Sequence, residues 1–244
     1  MLAGLSLVVA SACVFNNLID RDIDRRMART KSRALVSGRI SAPAAIVYAS
    51  LLGAAGVLVL ILWTNLLTTL IALAAEVVYV IFYGWAKRRS VHSTVVGSLA
   101  GAAPPAIGYC SLTNHLDGAA LILFLILVFW QMPHFYAIGI YRRDDYAAAK
   151  LPILPVKSGL KATKINILAY ITAFIAAVAS LTIFGYSGYS YLIITGLAGL
   201  AWLRLGLKGL NSKDDKPWAR QMFRFSLLVT LIVSLMISLD TWLP

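Results

Sequence analysis

The chain has 244 residues, of which 60% are hydrophobic and 13% are charged. About a quarter of the residues in a soluble domain are charged, so this composition excludes an ordinary soluble globular protein. The net charge of +12 would suit a nucleic-acid-binding protein, but the basic residues stand beside long apolar segments, and we predict no nucleic-acid partner.

Eight apolar segments are each close to the roughly 20 residues that cross a bilayer as an α-helix. They are continuously apolar, whereas the strands of a membrane β-barrel alternate between apolar and polar residues. We therefore predict an all-α fold, a multi-span transmembrane helical bundle. The predicted spans lie near residues 1–16, 43–63, 66–86, 94–112, 119–141, 165–185, 188–206 and 225–243.

The 22 lysines and arginines all fall in four alternate connections, residues 17–42, 87–93, 142–164 and 204–224. The positive-inside rule places these four connections in the cytoplasm, or in the matrix of an organelle. Met1 then lies on the far side, at the start of a span that is too short. We therefore expect residues 1–244 to form a single integral-membrane domain that lacks an earlier helix and the first turns of this one.

Three polar residues at the end of the first span share one predicted helix face. Asn16, Asp20 and Asp24 follow one another at intervals of four residues, the spacing that aligns side chains along a helix. Their oxygen atoms suit Mg²⁺, which favours one or two carboxylates together with water and substrate phosphates. Asp22 points elsewhere and is predicted to be a solvated partner of the arginines.

A second stripe of basic residues is predicted beside the acidic one. It comprises Arg21, Arg25 and Arg29, and Arg33 extends it. The guanidinium fork matches phosphate oxygens, so the two stripes together predict a diphosphate cradle. The alternative is a solvated interfacial loop whose acids merely offset the arginines.

The end of the third span adds further candidates. Tyr79, Tyr83 and Lys87 are spaced four residues apart, and Lys87 and Arg88 are predicted to hold a diphosphate from another side. The alternative is a positively charged membrane anchor with interfacial tyrosines. Glu76, deep in the same span, has no assigned role.

The fifth span ends in a second polar site. His134, Ile138, Tyr141 and Asp145 fall on one predicted helix face. Asp145 is therefore the candidate for a second metal-binding acid. A histidine inside a span is a functional candidate by default, although His134 is equally well explained by a hydrogen bond to a neighbouring helix.

Several motifs together resemble the intramembrane prenyltransferases of the UbiA type, and within them the haem-farnesylating branch. The resemblance extends over nearly the whole chain, and it depends on the order and spacing of the motifs. Because that family usually has nine spans, about eight would be present here. The motifs lie in residues 16–33, 101–105, 130–135, 141–146 and 152–156.

The resemblance implies that a farnesyl group is transferred from farnesyl diphosphate to a vinyl group of protohaem IX, giving haem O. It implies Mg²⁺ on Asn16, Asp20, Asp24 and Asp145, of which the three aspartates are also assigned as catalytic. Catalytic His134 either binds the haem iron or positions substrate. The diphosphate-binding residues would be Arg25, Arg29, Arg33, Lys87, Arg88 and Arg142.

The same resemblance implies a bacterial cytoplasmic (inner) membrane location, with the active site facing the cytoplasm. Haem A synthase or terminal-oxidase assembly would be the protein partners. The nearest alternative is a UbiA-type prenyltransferase acting on a quinone precursor or another aromatic acceptor. A transporter would need polar residues across the whole membrane, and a non-catalytic subunit would not need the acidic stripe.

Overall fold

In the computed structural model, residues 1–242 are described, and every regular element among them is helical. Eight of these helices are long and apolar enough to cross a membrane, which confirms the predicted all-α class and the number of spans. In chain order they are α1 Leu2–Ile19, α2 Ala42–Trp63, α3 Leu66–Arg89, α4 Ser93–Thr113, α5 Gly118–Tyr141, α6 Gly159–Ile183, α7 Tyr189–Asn211 and α8 Asp215–Trp242.

Helices α6 and α8 begin earlier than hydropathy predicts. α6 starts at Gly159 and α8 at Asp215, whereas the apolar segments begin near residues 165 and 225. The added turns carry charged side chains, which a search for apolar residues leaves out although they favour helix. Lys164 and Asp215 form an ion pair of 2.5 Å between these two extensions.

Two of the helices in the first half are irregular. α3 contains a π-helical segment, Val78–Tyr83, between its α-helical parts. α4 is interrupted at Ala102, and its second part begins with a proline in the first turn. A proline is tolerated there because the first amides of a helix have no partner within the helix.

The helices divide into two compact units. The first comprises Met1–Leu116 and Asp144–Ile153, and the second comprises Asp117–Arg143 and the chain from Leu154 onward. The first unit therefore holds α1 to α4 and the second holds α5 to α8.

Glycines bring α1 and α2 of the first unit into close contact. A Cβ atom on Gly56 would lie 2.8 Å from both the Gly4 carbonyl oxygen and the Val8 amide nitrogen. Small residues allow helix backbones to approach closely in membranes, where dispersion forces drive helix association. Hence α1 is held against α2 by backbone contact.

In the second unit, α5 and α7 each pack against both α6 and α8. Gly199 and Gly206 of α7 face side chains of α6, and a Cβ atom at either position would come within 2.8 Å of them. The buried ring of Trp202 meets Phe174 edge to face at 5.7 Å. This unit is a four-helix arrangement around an aromatic and aliphatic core.

Replacing Gly56 with valine should destabilise the first unit, because the new side chain would clash with backbone atoms of α1, which cannot move away by a side-chain rotation. We expect a cost of about 1–3 kcal/mol, or a fall of about 2–12 °C in the Tm measured in detergent. Gly196→Val is the matched control, because a Cβ atom there meets nothing within 4 Å. Equal melting temperatures for the two variants would contradict the close contact.

Candidate active site

The three residues of the predicted metal stripe occupy one buried face at the end of α1. The Asp20 amide donates to the Asn16 carbonyl at 2.9 Å, and the Asp24 amide donates to the Asp20 carbonyl at 2.8 Å. The helical spacing therefore continues past Ile19 into a short helix, Arg21–Asp24. Asn16, Asp20 and Asp24 are buried, whereas the Asp22 side chain is 57% exposed, as the split by helix face predicts.

Asp20 is held by a lysine from another helix. Its Oδ2 atom accepts a hydrogen bond from Nζ of Lys87, near the end of α3. The second carboxylate oxygen, Oδ1, is buried without a hydrogen-bond partner, and so is Oδ1 of Asn16. An unpaired buried oxygen carries a free-energy cost, and a bound cation would remove that cost.

These oxygens fit Mg²⁺ better than a metal that needs a complete protein cage. Among residues 1–242, no three His, Cys, Asp or Glu side chains converge closely enough to hold one ion. A carboxylate and an amide oxygen leave most coordination positions to water and substrate oxygens, as Mg²⁺ prefers. The metal roles of Asn16, Asp20, Asp24 and Asp145 stay predictions.

Arg33 folds back onto the acidic stripe. Its Nη1 atom donates to Oδ2 of Asp24 at 2.7 Å and to Oδ1 of Asn17 at 2.8 Å. The Thr30 hydroxyl donates to the Asp24 carbonyl at 3.0 Å. These bonds close the loop after Asp24 over the end of α1, which places a guanidinium beside the buried carboxylates.

The predicted helical stripe of arginines is wrong beyond Arg25. The short helix ends at Asp24, and the chain from Arg25 to Arg33 forms turns. The helix does not continue because Thr30 and Arg33, six and nine residues further along the chain, bond back to Asp24. Arg25 and Arg29 therefore lie in an exposed loop and do not share a helix face.

Arg88 forms an exposed pair with Asp22. Its two terminal nitrogens donate to the two Asp22 oxygens at 2.7 Å each, and Nη2 also donates to the Ile19 carbonyl at 2.6 Å. The hydrogen bonds from Arg88 lower the pKa of Asp22 to about 2. Because this pKa is depressed, the pair is intact at neutral pH and is lost only as the pH falls towards 2. Arg88 thus caps α1, while its predicted diphosphate role stays a prediction.

Lys87 also contacts a pair of stacked tyrosine rings in α3. Its Nζ atom lies 5.7 Å from the ring centroid of Tyr83, and Tyr83 stacks on Tyr79 at 5.4 Å. The sequence spacing predicts this order, but not the π-helical turn that carries both rings. Such turns frequently mark functional sites in helices.

An apolar cavity of about 310 Å³ lies next to Tyr79, within the first unit. Tyr79 lines the cavity and stacks on Tyr83. The Tyr83 ring lies under Nζ of Lys87, which is the group that binds Asp20. Small residues such as Ala75 and Gly101 leave the space open. The charged end of α1 and an apolar space of ligand size are therefore neighbours.

Glu76, to which the sequence assigns no role, lies on the cavity wall. The Ser11 hydroxyl donates to Oε1 of Glu76 at 2.7 Å, which ties α3 to α1. Gly53 of α2 faces the same bond, because a Cβ atom there would lie 2.9 Å from the Ser11 hydroxyl oxygen. The bond therefore joins α1 and α3, and α2 packs closely against it at Gly53.

The predicted helix face that links His134 to Asp145 is wrong. α5 ends at Tyr141, Arg142 has non-helical backbone angles, and a new short helix spans Arg143–Ala148. The break interrupts the helical periodicity, so the spacing of eleven residues does not place Asp145 on the His134 face. Asp145 belongs to the first unit and His134 to the second.

His134 is buried in an aromatic cluster of the second unit. Its ring stacks on Trp130 at 4.9 Å, and Phe223 lies 4.9 Å away. Nδ1 lies 2.7 Å from the Ser226 hydroxyl of α8. The alternative of a histidine bonded to a neighbouring helix is thus correct for Nδ1, although it leaves the other ring nitrogen unexplained.

Arg142 lies at the outer end of the same cluster. Its guanidinium stands over Tyr141 at 5.6 Å, and Tyr141 meets Phe223 at 6.0 Å. Its assignment to a diphosphate stays a prediction.

Sequence reasoning missed the residues that support these groups. Asn17, Thr30 and Ser226 each bond a candidate residue. Ser11 bonds Glu76, which has no assigned role in the sequence analysis. Asn17 and Thr30 fall within the polar motif and offered a weak signal. Ser11 and Ser226 are single serines within apolar spans, and only the contact with another helix reveals them.

The chain belongs to the UbiA prenyltransferase family, whose sequence profile matches residues 1–228. It is therefore an integral membrane protein and a prenyltransferase by family. It is 52% identical over 238 residues to the protoheme IX farnesyltransferase of Pseudomonas syringae pv. tomato, an alignment that covers 97% of this chain and 81% of the relative.

Solved structures show the same fold. A digeranylgeranylglyceryl phosphate synthase superposes with a TM-score of 0.78 at 18% identity, over 96% of this chain and 81% of its own. A UbiA homologue from Archaeoglobus fulgidus, solved with GPP and Mg²⁺, gives a TM-score of 0.66 at 16% identity, over 98% of this chain and 89% of its own. These likenesses confirm the predicted UbiA-type helical fold.

Removing one buried carboxylate should weaken metal binding at the candidate site. We expect Asp20→Asn to weaken binding of Mn²⁺ with inorganic diphosphate by about tenfold or more, measured by electron paramagnetic resonance on protein in nanodiscs. Asp22→Asn makes the same change two residues away on an exposed side chain and should leave the affinity within about twofold of wild type. Equal losses in both variants would contradict the buried site.

Proposed function

We propose that the protein transfers the farnesyl group of farnesyl diphosphate to a vinyl group of protohaem IX, giving haem O. One observation carries the proposal of a prenyl diphosphate substrate: a buried carboxylate, held by Lys87 and with one oxygen free, lies close to an apolar cavity. The 52% identity to a protoheme IX farnesyltransferase supports the acceptor.

Farnesyl diphosphate has a charged end and an apolar end. The first unit likewise has a charged region at the end of α1 and an apolar cavity. The basic side chains of Lys87 and Arg33 stand at the charged end, and Arg25 and Arg29 in the exposed loop add positive charge. The cavity, which is lined mainly by alanine and other aliphatic residues, accepts the farnesyl chain. Binding there removes apolar surface of the chain from water.

Mg²⁺ is proposed as the cofactor, held by Asn16, Asp20, Asp24 and Asp145. The A. fulgidus homologue, which shares the fold, was solved with GPP and Mg²⁺, and the two unpaired oxygens of Asn16 and Asp20 suit the same ion. When bound, Mg²⁺ neutralises diphosphate charge and makes the diphosphate a better leaving group.

The side chains of this protein then stabilise the departing diphosphate. As the bond between C1 of the farnesyl group and the diphosphate oxygen breaks, Lys87 and Arg33 donate charge-assisted hydrogen bonds to the oxygens that gain negative charge. The apolar walls shield the allylic cation from bulk water. Arg88 and Arg142 are proposed to contribute further positive charge.

The acceptor completes the reaction. The terminal carbon of a haem vinyl group forms the new bond to C1, and the positive charge moves to the inner vinyl carbon. Water adds there and loses a proton, which leaves a hydroxyethylfarnesyl group and balances the reaction.

We further propose that residues 1–244 act as one prenyltransferase domain in the bacterial cytoplasmic membrane. The confinement of lysine and arginine to alternate connections supports a cytoplasmic position for the charged end of the site. Haem A synthase or terminal-oxidase assembly would then receive the product.

Lys87→Met should lower the rate of haem O formation by about 10²–10³-fold, the usual effect of losing one donor to a developing charge. Arg89→Met, two residues further along the chain, is the matched control, because Arg89 stacks on Trp85 at 5.4 Å and is exposed. Its rate should stay within about threefold of wild type. Mass spectrometry of haem extracted from nanodiscs supplied with protohaem, farnesyl diphosphate and Mg²⁺ measures both.

A parallel reaction with 4-hydroxybenzoate as acceptor tests the substrate. Prenylated benzoate without haem O would contradict the proposed acceptor. No product from either acceptor with the wild-type chain would contradict the proposed activity, and full activity of Lys87→Met would contradict the role of that lysine.

A further inference from the structure

The orientation of the His134 ring is set by a chain of hydrogen bonds. The Ser226 hydroxyl lies 2.6 Å from the Phe223 carbonyl oxygen and 2.7 Å from Nδ1 of His134. A hydroxyl has one hydrogen, and only an O–H donor satisfies a carbonyl at this distance. Ser226 therefore donates to Phe223, and Nδ1 of His134 must carry a proton and donate to Ser226.

The other ring nitrogen, Nε2, is then an unprotonated acceptor. It makes no hydrogen bond with any residue among 1–242, since the only hydrogen bond of the ring is at Nδ1. His134 remains 9% exposed. This is the arrangement of a metal-binding histidine, whose second nitrogen donates to a protein oxygen and so fixes the tautomer.

We propose that Nε2 of His134 binds the iron of the protohaem substrate as an axial ligand. The proposal rests on protohaem being the acceptor, as proposed above. Neutral imidazole is a common axial ligand of haem iron, and Nε2 is the ring nitrogen to which no residue among 1–242 is hydrogen-bonded. His134 is a binding residue in this assignment, and Ser226 positions it.

The surroundings of His134 suit a porphyrin ring. Trp130, Phe135 and Phe223 contact the imidazole and present apolar surface for a flat ring to cover. Trp130 is itself fixed, because its Nε1–H donates to the Ser226 carbonyl at 2.8 Å. Trp130 and His134 of α5 are thus both hydrogen-bonded to Ser226 of α8.

Charge at the outer end of the cluster suits the haem propionates. Tyr141 ends α5 about 10 Å beyond His134, at about 1.5 Å per helical residue, and Arg142 stands over it. Exposed Arg220 precedes Phe223 by about one turn on α8. With its iron at His134, the haem would point its anionic propionate edge towards these arginines.

The test compares protohaem with iron-free protoporphyrin IX, which has the same ring, vinyl groups and propionates. His134→Ala should weaken protohaem binding by about tenfold or more and remove the spectrum of an imidazole-bound haem. Binding of protoporphyrin IX should change by less than about twofold, because it lacks the iron. Added imidazole should restore the haem spectrum. Absorbance and electron paramagnetic resonance titrations of the full chain in nanodiscs measure these changes.

The chain provides matched controls. Its other two histidines, His92 and His115, are exposed, and alanine at either should leave the haem spectrum unchanged. Ser226→Ala keeps the imidazole but removes its partner, so protohaem affinity should fall by about tenfold with protoporphyrin IX unaffected. This variant keeps the test valid where His134→Ala fails to fold.

An unchanged haem spectrum in His134→Ala would overturn the proposal, as would an equal loss of affinity for protohaem and protoporphyrin IX. The proposed transfer activity is tested separately from the ligand assignment. Haem O formed by wild type with no imidazole-bound spectrum would overturn the ligand assignment alone. An imidazole-bound spectrum that His134→Ala abolishes, without haem O from wild type, would support the ligand and contradict the transfer.

Discussion

The buried ion pair between Asp20 and Lys87 is the interaction on which the candidate site depends. It joins the end of α1 to the end of α3 and supplies a positive charge that makes a buried carboxylate tolerable. Lys87 occupies only Oδ2, so Oδ1 of Asp20 stays available beside Oδ1 of Asn16. Without Lys87, the buried carboxylate of Asp20 would be an uncompensated charge. Without Asp20, the ammonium group of Lys87 would lose its ion-pair partner.

The first unit changes from charged to apolar over a short distance, which is what an amphiphilic substrate requires. Arg33 and Lys87 hold the acids from two sides, the stacked tyrosines of α3 lead inward, and the cavity follows. Close backbone contact between α1 and α2 at Gly4 and Gly56 sets the position of the helix that carries Asp20. The packing of these helices therefore determines the geometry of the site.

The sequence predicts features that depend on local composition and spacing. All eight spans follow from hydropathy, and the burial of Asp20 and Asp24 against the exposure of Asp22 follows from helical periodicity. Prediction from the sequence fails where a hydrogen bond between residues far apart in the chain overrides the helical periodicity. Arg33 turns back to Asp24 and ends the helix, and the break at Arg142 removes Asp145 from the predicted face. The partnership of His134 with Ser226 joins residues 92 positions apart, which no periodicity within one helix encodes.

We propose that Asp20 shares its carboxylate between Lys87 and a metal ion. The direct measurement is an anomalous diffraction map of the protein crystallised with Mn²⁺ and farnesyl thiodiphosphate. The account predicts a manganese peak at about 2.0–2.3 Å from Oδ1 of Asp20 and Oδ1 of Asn16, with Lys87 still bound to Oδ2. A metal held elsewhere, with both Asp20 oxygens bound to basic side chains, would contradict it.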